Sequence, residues 1–367
     1  MAKKPHTFAY FVTSHGFGHA TRACAVIHAL NKRHPSRFMI FSTLPNWFWK
    51  ENLSGTDYQC IQAETDIGLI QKSPFSHDID LSARAWMDFL SFSSGNFTNC
   101  LRLTNEFKPD CILCDISPLG LSIGESLRIP TVLIENFTWD WMFEIYAGEN
   151  PHFKVINQKL SDLYENFDVR LQATPFCKKA ANGITVNPIH RFQVQPAPEV
   201  RKKLNIPSGH RLALITTGGI AQNYDFIQSL RNFTDHTFLL AGNFDRMESS
   251  NNIIRIPMSS HFHFPDLVCA SDLVVGKVGY GTLVECWAAG TPLLGVYRED
   301  FRESETLRRF SNQEMTAAEI TVEEFESGAW LKQAKNLSMQ KITTNKPEME
   351  NGSLQVAREV NSLLDKR

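Results

Sequence analysis

A chain of 367 residues with 43% apolar and 21% charged side chains is long enough for two domains of ordinary size, each with its own core. The formal net charge of −2 leaves no global basic field for nucleic acid or anionic lipid. No apolar run approaches the roughly 18–20 residues of a membrane span, and the start MAKKPHTFAYFV lacks the long apolar stretch and cleavage site of a secretory signal. The expectation is a cytoplasmic protein with no membrane span and no nucleic-acid partner.

Short apolar runs alternate with helical patterns along the chain, the pattern of parallel sheets with helices on their faces. TFAYFVT (7–13) and RFMIFST (37–43) read as buried strands, and the helix between them carries Ala23, Val26, Ile27 and Leu30 at helical spacing. NWFWK (46–50) and, later, WDWMF (139–143) are aromatic runs suited to stacking on a sugar, to peripheral contact with a lipid acceptor, or to core packing. Residues 64–107 read as helices and loops. Among them Asp78 and Asp80 form a D-x-D pair, but one that opens a helix rather than ending a rigid strand, so no metal site is expected there or elsewhere.

DCILCDI (110–116), PTVLIEN (130–136) and the weaker VRLQAT (169–174) complete the strands of the first half. Cys111 and Cys114 have C-x-x-C spacing, yet residues three apart on a strand face opposite ways and cannot share a ligand. A proline-bearing stretch marks a linker, which divides the chain into an N-terminal domain (1–190), the linker (191–209) and a C-terminal domain (210–350). The second alternation runs through RLALITTGG, HTFLLAG, NIIRIP, DLVVGK and PLLGVYR. An amphipathic terminal helix (351–367) follows, placed to pack back on the first domain.

Ligands of such sheets bind beyond the carboxyl ends of the strands, so the loops after strands carry the candidate sites. In TSHGFGHATR, Gly16 and Gly18 permit unusual backbone angles and close approach of a ligand. His19 sits near the start of the next helix, whose positive end favours the neutral imidazole that a general base requires. The alternative is an exposed helix-start residue, with His15 a turn residue. In LITTGG, Gly218 and Gly219 read equally as an anion nest or as a tight turn. In GKVGYGTLVECWAAGTPLLGVYREDFRESE, a strand ends at Lys277 and Gly279 and Gly281 frame Tyr280. A helix is predicted from Thr282 to Gly290, with Pro292 just beyond. Thr282 and Glu285 have the spacing of a capping box, while a first-turn carboxylate beside a glycine-rich loop also suits ribose hydroxyls; spacing favours the cap. Asp300 and Glu303 lie in a charged run whose simplest reading is a solvated face.

Together, SHGFGHATRA, the GKVGYGTLVECWAAGTPLLGV loop and NGSLQVAREV resemble the GT-B nucleotide-sugar glycosyltransferases. SHGFGHATR, NFTWDW (136–141) and GKVGYGT…E followed by R-x-D-F-x-E are similar to the glycosyltransferase-like half of L-arabinokinases and their bacterial stand-alone relatives. The resemblance implies an α/β GT-B fold, two doubly wound Rossmann-like domains facing across a cleft, with an N-terminal acceptor domain and a C-terminal donor domain. It implies a transferase, inverting and metal-independent, that moves a sugar from a nucleotide-sugar, UDP-sugar favoured, to a hydroxyl acceptor without a further cofactor. His19 would be the base, with His15, Gly16, Gly18 and Asp115 on the acceptor side. Gly218, Gly219, Lys277, Gly279, Tyr280, Gly281, Thr282, Glu285, Asp300 and Glu303 would hold the donor. A nucleotide-sugar epimerase or hydrolase and a non-catalytic nucleotide-sugar binder are the rival readings.

Overall fold

The computed structural model describes residues 4–73, 76–217, 226–340 and 349–366. The chain divides into two compact units, one of Met1–Lys72, His77–His190 and Met349–Arg367, the other of Ser73–Ser76 and Arg191–Glu348.

The first unit is built on strands β1 (His6–Val12), β2 (Ser36–Ser42), β3 (Asp57–Gln62), β4 (Cys111–Asp115), β5 (Thr131–Glu135), β6 (Val169–Ala173) and β7 (Gly183–Val186). They pair in the order β3-β2-β1-β4-β5-β6-β7, all parallel. Sheets with both faces covered need apolar side chains on both, which is why Phe8 to Val12 and Cys111 to Cys114 are continuous apolar runs with no exposure. Strand order reverses between β1 and β4, so the loops after these two strands meet at the switch point where doubly wound sheets bind ligands. The helix Phe17–Arg33 leaves the β1 loop, buries Ala20, Ala23, Val26, Ile27 and Leu30, and ends on Lys32 and Arg33, cations that suit the negative end of its dipole. The terminal helix Gly352–Asp365 packs on this helix and on β6 and β7, burying Val356, Ala357 and Val360.

The second unit repeats the plan with β8 (Arg211–Thr216), β9 (His236–Gly242), β10 (Glu248–Ser250), β11 (Ile253–Pro257), β12 (Leu273–Lys277), β13 (Leu293–Val296) and β14 (Ala317–Glu319). Their order is β10-β11-β9-β8-β12-β13-β14, with only the edge strand β10 antiparallel. Alternate residues of β8 feed two cores: Leu212 and Leu214 on one face, Ala213 and Ile215 on the other. The switch point here lies between β8 and β12.

Two expectations need correcting, and one set of alternatives is decided. The stretch read as a linker carries a helix, Ala197–Lys203, because Pro196 precedes it and Pro198 falls in its first turn, where a missing N–H costs nothing. The helix predicted from Thr282 begins at Tyr280 instead, with Gly279 as its N-cap, and ends at Gly290 in the left-handed conformation. The aromatic runs are mostly core: Phe48, Trp49, Trp139, Met142 and Phe143 are buried, which removes them from any lipid surface. Asp78 caps the helix Ile79–Phe89 by accepting from the Leu81 N–H. Cys111 and Cys114 are buried thiols in β4.

Candidate active site

At the switch point of the first unit the β1 loop and the end of β4 place three side chains in contact. Gly16 is the N-cap of the helix Phe17–Arg33 with φ 85°, a left-handed conformation that explains the glycine. Gly18 is already helical, with φ in the ordinary range, so the unusual backbone angle expected there belongs to Gly16 alone. One turn on, His19 is buried and its Nδ1 lies 2.8 Å from Asp115 Oδ1.

Arg22, three residues further along the same helix face and 1% exposed, donates to both oxygens of Asp115, from Nε to Oδ2 and from Nη2 to Oδ1, each at 2.7 Å. Its Nη1 donates to Asn136 Oδ1 at 2.6 Å. Burial by itself would push the Asp115 carboxyl up, but Arg22 and the hydrogen bonds from Arg22 and His19 outweigh it and hold it below its ordinary value. An ionised Asp115 requires a hydrogen on His19 Nδ1. Arg22 Nη2, 3.1 Å from that nitrogen, is then a close neighbour and not a bonding partner. In the neutral ring the basic lone pair is on Nε2. The ring's direct partner is therefore the Asp115 carboxylate, a pairing not read from sequence.

His15 plays a different part. Its Nδ1 accepts from the Leu69 N–H at 3.4 Å and its ring meets Trp139 edge-on at 5.3 Å. Beneath this loop, Asp66 accepts from Thr13 Oγ1 at 2.7 Å and from Trp139 Nε1 at 2.8 Å, tying the β1 loop to the segment after β5. Burial pushes its carboxyl up to about 6, with Asp115 adding to the rise, while the two hydrogen bonds and His19 oppose it. Arg22, Asn136 and Asp66 were missed from sequence; the i, i+3 spacing of His19 and Arg22 is the one local signal for the first of them.

In the second unit, Gly218 and Gly219 lie outside the described residues. β8 ends at Thr216, and Thr217 is buried. Gly276 holds β12 against β8: a Cβ there would sit 1.7 Å from the Thr216 carbonyl oxygen. Lys277 follows. Burial, reinforced by Arg298, pulls its ammonium down to about 7, against the opposing pull of Glu303 and Asp300. These four groups thus share one neighbourhood. Arg298 is buried with its guanidinium 3.7 Å from the Phe301 ring centroid, and Glu303 is buried at the start of the helix Glu303–Glu314, so the run is not the solvated face it resembled.

Tyr280, Gly281 and Thr282 form the first turn of the helix Tyr280–Ala289, and no side chain caps it. The capping box of Thr282 and Glu285 is therefore absent. Glu285 is buried and paired with Arg191, Nε to Oε1 at 2.7 Å and Nη2 to Oε2 at 3.1 Å. Arg191, in the presumed linker, was missed from sequence.

Two Rossmann-type sheets in tandem, each with its loops and charged groups at the switch point, define the GT-B fold of glycosyltransferases. Over nearly full length the chain superposes on the calicheamicin glycosyltransferase CalG4 (TM-score 0.67, 13% identity, 99% of both chains). The spinosyn forosaminyltransferase SpnP (0.66, 13%, 99% of this chain and 100% of that one) and a Polygonum tinctorium UDP-glucosyltransferase (0.65, 10%, 100% of both) superpose equally.

In sequence the chain is 23% identical to Arabidopsis thaliana L-arabinokinase over 334 residues, 90% of this chain, and spans only 32% of that protein's length. It is also 23% identical to an uncharacterized glycosyltransferase of Methanosarcina acetivorans over 332 residues, 81% of this chain and 80% of that one. No protein-family model matches. Among the described residues, no helix is long and apolar enough to cross a membrane.

Proposed function

We propose that this protein is a glycosyltransferase that moves a sugar from a nucleotide-sugar, a UDP-sugar by preference, to a hydroxyl acceptor. The observation that carries the reading is the buried His19–Asp115 pair at the switch point of the first sheet. His19 Nε2 takes the proton of the acceptor hydroxyl as its oxygen attacks the anomeric carbon. The bond to the diphosphate breaks with its electron pair, and the nucleoside diphosphate departs. Asp115 holds the ring in the required tautomer and stabilises the imidazolium as it forms; Arg22 holds Asp115 in turn and is itself anchored by Asn136, whose Oδ1 accepts from Nη1. A single displacement by a base-activated nucleophile inverts the anomeric centre.

On the second unit, the N–H groups at the start of the helix Tyr280–Ala289, with Gly279 leaving open space beside them, suit a diphosphate, and the Lys277 ammonium adds charge. Gly218 and Gly219 are assigned to the same diphosphate. Such donors need no metal to offset the leaving group's charge. Glu285 is assigned to the ribose with its orientation set by Arg191, and Asp300 and Glu303 to sugar hydroxyls. All eight cysteines are thiols, which suits a reducing cytoplasm.

The test is release of nucleoside diphosphate from a panel of nucleotide-sugars with and without hydroxyl acceptors. His19→Ala should lower transfer by about 10²–10⁴-fold while leaving nucleoside diphosphate affinity unchanged. Full transfer by H19A would remove the assignment. Donor turnover that needs no acceptor would favour an epimerase or hydrolase.

A further inference from the structure

The first unit contains a cavity of about 260 Å³ beyond the ends of β5 and β6, separate from the His19 cluster and lined in part by Glu135, Phe137, Asp140, Trp141, Arg170 and Lys179. We propose that it is a binding site for a neutral monosaccharide. The proposal stands whether or not the chain transfers sugars.

Three observations carry it. Asp140 is half engaged: its Oδ2 accepts from Ser161 Oγ at 3.0 Å, while its buried Oδ1 accepts no hydrogen bond from any described residue. A buried carboxylate oxygen left without a donor is costly, so Asp140 gains by turning toward a hydroxyl or N–H held in the cavity that it lines. Arg170 complements it. Its Nε donates to the buried Glu135 at 3.0 Å, a bond that fixes the plane of the guanidinium. Its terminal nitrogens donate to no described residue, so a fork of donors is left for an incoming oxygen. Gln172 Nε2 also donates to Glu135 Oε1, at 2.7 Å, which further locks the pair.

The third observation is balance. The cavity wall holds Arg170, Lys178 and Lys179 against Glu135, Asp140 and Glu165, so no net field selects an anion. Each sugar hydroxyl is at once donor and acceptor, which matches a wall carrying both carboxylates and a guanidinium. The rings of Phe137 and Trp141 give the apolar surface that ligand pockets combine with a few placed polar groups. The volume lies below the roughly 300–1,000 Å³ of pockets for drug-sized ligands, which fits a pentose or hexose. Occupancy would be felt at the base, since Phe137 lines the cavity and also packs against the His19 ring at 5.8 Å.

The test is calorimetric titration of the full chain with a panel of neutral pentoses and hexoses, with UDP and inorganic phosphate as separate arms. At least one neutral sugar should bind saturably, and binding should weaken at least about tenfold in Asp140→Ala and in Arg170→Lys. The lysine keeps a charge beside Glu135 but loses the fork. Thermal midpoints matching the parent chain show that both variants fold. UDP affinity should be unchanged in D140A. The proposal is overturned if no neutral sugar binds, if phosphate binds here and sugars do not, or if folded D140A binds as well as the parent. Failure to bind UDP would count against the transferase reading and leave this one standing.

Discussion

Asp115 is bonded by two side chains of one helix, and that sharing sets what each substitution costs. Removing the imidazole leaves the carboxylate paired with Arg22, so H19A should fold. Removing the guanidinium is different, because Asp115 is fully buried and retains only His19. Arg22→Met should therefore destabilise the chain by about 3–5 kcal/mol in urea unfolding, the usual cost of breaking a buried pair; a midpoint like that of the parent would contradict the geometry.

Asp66 offers a pH signature. Its folded carboxyl titrates at about 6, above the ordinary 3.8, so the folded chain prefers it protonated. The stability this lends is complete below pH ~4 and is lost as pH rises through about 6, a change of about 3 kcal/mol. The stability difference between the parent and Asp66→Asn should fall by that order across the window, and parallel profiles would refute the assignment. None of these pairings could be read locally. His19 and Asp115 were both candidates, but 96 positions separate them, and only the fold makes them partners.

At the scale of elements, the buried central strands were legible because they are written as unbroken apolar runs, whereas the more exposed β3, β7, β10 and β14 were not read at all. Helix starts were harder. Thr282 looked like a cap, but the backbone turns helical at Tyr280, once Gly279 has left the strand end. Gly276 drew no notice inside LVVGK, yet it lets β12 pass the Thr216 carbonyl, with φ 144°. Gly276→Ala should sharply lower the thermal midpoint and abolish the proposed nucleotide binding, since both strand ends at the switch point would shift. Gly279→Ala is the control: nothing lies within 4 Å of its Cβ position, so the fold should survive. If the two variants melt alike, the close approach is not what selects Gly276.

For the whole molecule, the return of the terminal helix to the first unit is the long-range event that supports the candidate base. Gly352 passes so near Asn187 that a Cβ would lie 1.9 Å from its carbonyl oxygen, and the helix then packs on Phe17–Arg33, which carries His19 and Arg22. Deleting residues 349–367 withdraws the buried Val356 and Val360, worth about 3–6 kcal/mol of apolar burial, and should lower the thermal midpoint of the first unit. An unchanged midpoint would mean that this helix does not support the sheet.

Read alone, the sequence determined the alternation of strand and helix, the two doubly wound sheets and the strand-end loops that carry the candidate sites. Those properties are encoded in spacings of a few residues, which any reader of periodicity can recover. The tertiary structure alone decided which buried polar groups meet: Arg22 with Asp115, Arg191 with Glu285, Asp66 with Trp139. A buried charge is satisfied by whatever the fold brings within about 3 Å, and chain distance carries no information about that.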